Sequence, residues 1–403
     1  MSVQVIVSGG GIGGLAAALS LARSGCDARV FERSSAFSEV GAGLQLGPNA
    51  MRVLHGWGLG HALAQVAAFP HKLQVRSAVS GRTLGELPLG AAMQARYGAP
   101  YATLHRADLH GVLLAAVQQT GIRLHADRPL QQIGQTLDAV TVQTPDHPEI
   151  EADALVGADG LWSTVRQQLL ADGPPLATGH LAYRALLSQT ALPQTMRSSN
   201  VTVWLGPRLH IVQYPVRGGE ALNLVAIVHG TLAQSGLDGA GNVNPWDNAA
   251  TAGDIAADLS TALAGSCAAL LSCMAAVPVW RRWALYERPP MQGPHEHAAS
   301  RVALVGDAAH PMRPYLAQGA GMAIEDAAVL ASTLGAGTSA ADVPAALQRY
   351  AHARWQRNAR VQARAQRNGQ IFHATGLVRW GRDTALRLLG KRLLDMPWLY
   401  GTS

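Results

Sequence analysis

Residues 5–14 read Val-Ile-Val-Ser-Gly-Gly-Gly-Ile-Gly-Gly, and this stretch decides the fold. The run Val3 to Val7 is short and mostly β-branched, as a buried parallel strand requires. Gly9 permits a tight turn, Gly11 lets the backbone approach a pyrophosphate, and Gly14 lets the following helix pack on the strand. Leu15 to Ala22 is rich in Ala and Leu and predicts that helix. Its N-terminal N–H groups and dipole favour phosphate. Ala28 to Phe31 predicts the next strand, ended by Glu32 and Arg33. A carboxylate at Glu32 suits the hydroxyls of an adenosine ribose and repels a 2′-phosphate.

Two later segments have the same grammar. Ala154 to Gly157 is an apolar strand entering Asp159-Gly160, and Val302 to Val305 is another entering Gly306-Asp307. Each delivers an aspartate beyond a strand end, where open α/β sheets bind ligands. After Asp307, Gly319-Ala320-Gly321 opens a helix whose N-terminus would stabilise negative charge on a bound ring. The first motif alone does not separate NAD from FAD; three signals in this order point to non-covalent FAD.

GADGLWSTVR (157–166) and GDAAHPMRPYLAQGAGMAIEDAA (306–328) resemble the internal FAD motifs of the single-component aromatic hydroxylases, flavoprotein monooxygenases. The resemblance spans nearly the whole chain. Through APYATLHRADLH (99–110) and RLHIVQYPVRGGE (208–220) it is most similar to the 3-hydroxybenzoate 6-hydroxylase branch, and also to salicylate hydroxylase and 6-hydroxynicotinate 3-monooxygenase. It implies an enzyme that hydroxylates a phenolic aromatic acid with NADH or NADPH and O2 through a flavin hydroperoxide. The expected conversion is 3-hydroxybenzoate to gentisate, with decarboxylating salicylate 1-hydroxylation or 6-hydroxynicotinate 3-hydroxylation as alternatives. A flavin-binding reductase or sensor without oxygenase activity, and a membrane-associated quinone-precursor hydroxylase, are the competing classes. Arg106 joins Gly9, Gly11, Gly14, Glu32, Arg33, Asp159, Asp307, Gly319, Ala320 and Gly321 as a cofactor-binding expectation. No second G-x-G-x-x-G unit serves the nicotinamide cofactor. The resemblance implies that this cofactor binds transiently at the surface, and that Asp159 and Arg166 lie in a segment associated with both cofactors.

On the substrate side, a strand through Arg208 to Tyr214 puts His210, Val212 and Tyr214 on one face. The rise across four residues is roughly 13 Å, so His210 and Tyr214 flank a site rather than touch. A phenol reacts faster as phenolate, so a base on its oxygen has chemical work to do. His210 is the expected base, because a histidine pKa lies near working pH. Tyr214 and Tyr101 can position a carboxylate by hydrogen bonds. Pro314 stands where similar 6-hydroxylases have Gln and offers no side-chain hydrogen bond, a departure towards the salicylate hydroxylase pattern. Arg313 is an alternative carboxylate anchor.

At 403 residues, with 48% hydrophobic and 14% charged residues, the chain is globular and long enough for two or three domains. Cys26, Cys267 and Cys273 are too few for a disulfide framework and lack metal-ligand spacing, which predicts a reducing cytoplasm. No N-terminal leader is read, and Leu263 to Trp280, interrupted by Gly, Ser and Pro, predicts a buried helix then a strand rather than a membrane span. The net charge is +6. Arg349, Arg354, Arg357, Arg360, Arg364 and Arg367 recur along one helix and read as a solvated face. No nucleic-acid motif accompanies them, and a homodimer contact is an alternative use.

The dispersed signals predict an α/β fold (α+β overall) with a discontinuous Rossmann-like FAD-binding domain at 1–71, 106–175 and 286–335. It is interleaved with a mixed or antiparallel substrate-binding sheet domain at 72–105 and 176–285. A C-terminal helical region follows at 336–403. Residues 242–250 read as a loop before a helix that starts near Ala252.

Overall fold

The computed structural model describes residues 2–39, 42–230 and 252–401. The loop expected at 242–250 lies outside the described residues.

Two sheets organise the molecule. In the first, the strand Gln4–Ser8 lies at the centre, paired in parallel with Asp27–Phe31 and Ala154–Gly157. Arg123–His125 and Val302–Leu304 extend it in parallel on either side, and Ala298–Ala299 closes one edge antiparallel. Val5, Ile6 and Val7 are completely buried, as the β-branched run predicts. The helix Ile12–Arg23 leaves the glycine-rich turn and packs on the helices Arg106–Gln118 and Gly319–Thr333. An antiparallel three-stranded ribbon, Gln132–Gln135, Val140–Thr144 and His147–Ala152, covers the opposite side.

The second sheet has seven strands. Their order is Arg281–Glu287, Leu176–Ser188, Ala221–His229, Leu209–Val216, Val201–Gly206, Lys72–Ser77 and Thr83–Pro88. All neighbours are antiparallel except Val201–Gly206 beside Lys72–Ser77. One face carries Leu209, Ile211, Leu222 and Leu224 against the helices Ala252–Leu263 and Ala268–Ala275. The other carries His210, Val212 and Tyr214 towards the nucleotide half. The stretch expected as helix then strand is thus the end of one helix, a second short helix and a connection into Arg281–Glu287.

The C-terminal region is helical: Val343–Phe372, Gly376–Leu394 and Pro397–Tyr400. The arginine stripe differs from the solvated face expected of it. Arg354 is buried and pairs with both Glu325 and Asp326, while Arg357 pairs with Glu325 and donates to the carbonyls of Trp398 and Leu399. Arg360 lies over the Trp398 ring at 4.2 Å. Only Arg349, Arg360 and Arg367 of the six are exposed. A helix 30 residues long packs on one stripe, and that stripe meets the acidic pair Glu325-Asp326, so arginine is the residue that satisfies it. Among the described residues no helix is long and apolar enough to cross a membrane. All three cysteines are free thiols.

Candidate active site

The three glycine-containing turns meet at the carboxyl ends of neighbouring parallel strands. Gly9 adopts φ +106°, and a Cβ there would collide with the Ala158 carbonyl. At Gly14 a Cβ would collide with the Gly9 carbonyl oxygen, so helix and turn are in direct backbone contact. Gly11 differs: a Cβ there meets only Glu39 Oε1, at 3.4 Å, so its surroundings are open. His110 Nε2 sits 2.8 Å from the Gly10 carbonyl oxygen and steadies the loop. Glu32 accepts hydrogen bonds from the backbone N–H of Gly10 at 2.6 Å and of Ser34 at 2.8 Å, one on each carboxylate oxygen. Arg106 pairs with Glu39 at 2.9 Å, is drawn electrostatically to Asp307, and keeps a buried Nε without a partner. Asp307 is exposed beyond the strand Val302–Leu304, next to the start of the helix Gly319–Thr333.

Asp159 turns onto its own loop. It accepts from Ser163 Oγ and from the N–H groups of Thr164 and Val165, capping the helix Thr164–Leu170. Arg166, on that helix, donates to the carbonyls of Ala308 at 3.1 Å and Ala309 at 2.6 Å. The two internal motifs are therefore clamped together. Behind them, His310 Nε2 lies 2.5 Å from Asp326 Oδ2, which also accepts from the Gly306 N–H at 3.1 Å. Asp326 is wholly buried and held well below the usual carboxylate range by His310 and Arg354, despite its burial. Arg33 is exposed, and no ion pair engages it among the described residues.

The second sheet supplies a floor opposite these turns. Cross-strand register aligns three rows on one face: His210–Ile227–Ala182, Val212–Val225–Arg184 and Tyr214–Asn223–Leu186. Tyr101 donates to Gln45 Oε1 at 2.8 Å, and Tyr214 lies beside this pair. Asn223 Oδ1 accepts from the Gly43 N–H, which leaves its buried Nδ2 unpartnered. Arg184 lies over the Trp283 ring at 5.3 Å, faces Tyr214 and Arg106 electrostatically, and has a buried Nε without a partner. His210 Nδ1 is 2.8 Å from His373 Nε2, and Tyr315 and Phe372 pack on its ring. The arrangement joins a nucleotide cradle to a face offering hydroxyls, an unpaired guanidinium and a neutral imidazole. That combination can orient a small aromatic acid against a bound ring.

A model of the FAD binding domain matches residues 2–207 and 294–365. The chain is 35% identical over 402 residues to a 3-hydroxybenzoate 6-hydroxylase of Polaromonas naphthalenivorans, covering 99% of this chain and 96% of that one. It belongs to the FAD-dependent aromatic hydroxylases. A 6-hydroxynicotinate 3-monooxygenase of Bordetella bronchiseptica is 33% identical, with 89% of each chain covered. Among solved structures, a salicylate hydroxylase substrate complex superposes with a TM-score of 0.82 at 25% identity, covering 100% of this chain and 96% of that one.

The residues of this hydroxylase fit FAD. Gly11 leaves room where a pyrophosphate would pass, Glu32 offers acceptor oxygens at the second strand's end, and Arg106 holds an unspent donor. Gly319, Ala320 and Gly321 form the first turn of their helix, as expected. Burial and the neighbouring His180 push His210 down to about 3. The expectation of a histidine poised near working pH is thereby corrected: the ring is neutral and buried, not a freely titrating base. Tyr101 and Tyr214 are buried and pushed above the usual phenol range. Arg313 pairs with Glu287 through both Nε and Nη2, so its charge is already answered, and Pro314 carries the chain from that pair to Tyr315. The sequence reading missed Arg184, Gln45, Asn223 and His373. No local motif marks them. The one available signal was the alternation of the strand Leu176–Ser188, which sets Arg184 in register with Val225.

Proposed function

We propose that the chain hydroxylates a monohydroxybenzoate, converting 3-hydroxybenzoate to gentisate with NADH or NADPH and O2. The observation that carries this reading is the row geometry of the second sheet. Arg184, Tyr214 and His210 share one face, with an unpaired guanidinium between the Tyr214 phenol and a neutral imidazole. When bound, FAD supplies electrons from the nicotinamide cofactor and the activated oxygen. Gly11, Glu32, Arg106 and Asp307 would hold it, and the free N–H groups of the first turn of Gly319–Thr333 would favour negative charge on it. Arg184 pairs with the substrate carboxylate, and Tyr214 together with Tyr101, which Gln45 holds, fixes its rotation. His210 accepts the phenol hydrogen at Nε2 while its Nδ1–H donates to His373. Because its pKa is about 3, it shares that proton rather than storing it. The phenol oxygen gains electron density, and its para carbon becomes the nucleophilic position.

On the same reading the chain is a cytoplasmic homodimer. The exposed side chains of Leu377, Trp380 and Leu388 on the helix Gly376–Leu394 supply an apolar contact face. Light scattering checks the dimer. Oxygen uptake with NADH against 3-hydroxybenzoate, salicylate and 6-hydroxynicotinate tests the activity, with products identified by mass spectrometry. Gentisate from 3-hydroxybenzoate is the expected product. Catechol and carbon dioxide from salicylate, with no gentisate, would overturn the assignment.

A further inference from the structure

Beyond the His210 end of the substrate face, three more imidazoles converge. His180 and His229 are directly opposed on antiparallel strands, with ring centroids 4.5 Å apart. The His373 ring lies 5.1 Å from each of them, just after the helix Val343–Phe372. One ring nitrogen from each of the three lies within 4.8 Å of the others. His180 Nδ1 is 2.9 Å from the Thr178 carbonyl oxygen, which assigns the proton to Nδ1 and leaves Nε2 with a lone pair. His373 has its Nε2 engaged with His210, and its Nδ1 is buried without a partner. No carboxylate pairs with any of the three; the histidine ion pairs among the described residues involve His105, His295 and His310. Burial lowers the pKa of all three, helped by neighbouring histidines at His180 and His373 and by Arg208 at His229, so they are unprotonated near neutrality, the form that ligates metals. His229 is exposed and provides an entrance.

We propose that His180, His229 and His373 form a binding site for a divalent transition-metal cation of the imidazole-preferring class, with a solvent-facing coordination position beside His229. Such a cation would also set the state of His210. The His210–His373 pair has two tautomeric arrangements. In one, His210 Nδ1–H donates to His373 Nε2, and His210 Nε2 keeps a lone pair. In the other, His373 Nε2–H donates to His210 Nδ1, and His210 Nε2 carries the hydrogen. A cation on His373 Nδ1 requires the second arrangement. His210 then becomes a donor, and the acceptor that the phenol needs is withdrawn. This second step rests on the role of His210 proposed above; the site itself does not.

Zinc chloride titrated calorimetrically into chelator-treated holoenzyme tests both parts. Wild type should take up a single zinc per chain. His229→Asn and His180→Asn should each weaken uptake by more than about tenfold with the flavin spectrum unchanged, and His229→Asn should keep metal-free turnover at the wild-type level. Zinc should slow wild-type NADH oxidation with 3-hydroxybenzoate at the midpoint of the binding isotherm, and leave His229→Asn unaffected. Equal isotherms in wild type and both variants would remove the site. Binding lost in the variants, with zinc harmless to wild-type turnover, would remove the link to His210. Failure of every phenolic acid to stimulate oxidation would count against the hydroxylase reading while leaving the isotherms decisive.

Discussion

Arg184 sits over Trp283 with its Nε buried and unpaired, and burial together with Arg106 lowers its pKa. A charged hydrogen bond contributes about 1.5–3 kcal/mol, so Arg184→Met should cut kcat/KM for a hydroxybenzoate by roughly 10–100-fold. FAD content should be unchanged. Steady-state kinetics beside the flavin absorbance checks this, and an unchanged KM would return Arg184 to a packing role. His210→Asn should slow hydroxylation by about 10²-fold and divert oxygen to peroxide. Peroxide and product measured together decide it, since wild-type coupling in that variant would make His210 structural. Tyr101, His210 and Tyr214 were legible because each lies in a continuous segment of mixed aromatic and polar residues. Arg184, Gln45, Asn223 and His373 were not. They come from strands and a helix end far apart in sequence, and only cross-strand pairing brings them together.

At the level of elements, the first strand, turn and helix were readable because one local constraint sets all three. The glycines separate into two kinds by what a Cβ would meet. Gly14→Ala should destabilise the fold by about 1–3 kcal/mol, because the added methyl is pressed into the Gly9 carbonyl. Gly11→Val should leave the melting temperature of the apoprotein near wild type and abolish FAD retention, because the space there is open until the cofactor arrives. Thermal melts of apoprotein paired with flavin-to-protein absorbance ratios distinguish the two; equal melting losses would show the distinction to be wrong. The arginine helix was read by charge periodicity alone. Such periodicity cannot separate a solvated stripe from one facing acids, because Glu325 and Asp326 belong to another helix.

Across the whole molecule, charge burial shapes acid stability. His210 and His297 are held at about 3 and His373 at about 2, all by burial first. Their folded pKa values lie below the unfolded value near 6.5. The stability they contribute is complete above that pH and is lost as pH falls from there towards 3. The slope is about 1.4 kcal/mol per pH unit for each histidine. Glu325 is depressed by Arg357 and Arg354 and Asp326 by His310 and Arg354, so their contribution is present above about 4 and lost only in stronger acid. The thermal midpoint should therefore fall steeply below pH 6.5, and a flat profile from pH 7 to 4.5, followed by differential scanning fluorimetry, would contradict the neutral buried histidines. The alternation of sheet types was visible from the dispersed motifs. The seven-strand order, with Lys72–Ser77 inserted beside Val201–Gly206, was not, because nothing local encodes a parallel pairing between segments so far apart.

The strand Ala154–Gly157 has Gln4–Ser8 on one side and Val302–Leu304 on the other, and Arg166 grips the carbonyls of Ala308 and Ala309. During synthesis the glycine-rich turn leaves the ribosome early, but the nascent sheet keeps an open edge until Leu304 has emerged. Such an edge pairs readily with foreign strands. The cofactor cradle is therefore completed late in synthesis, and the long interval before it is when a nascent-chain chaperone has the most to protect.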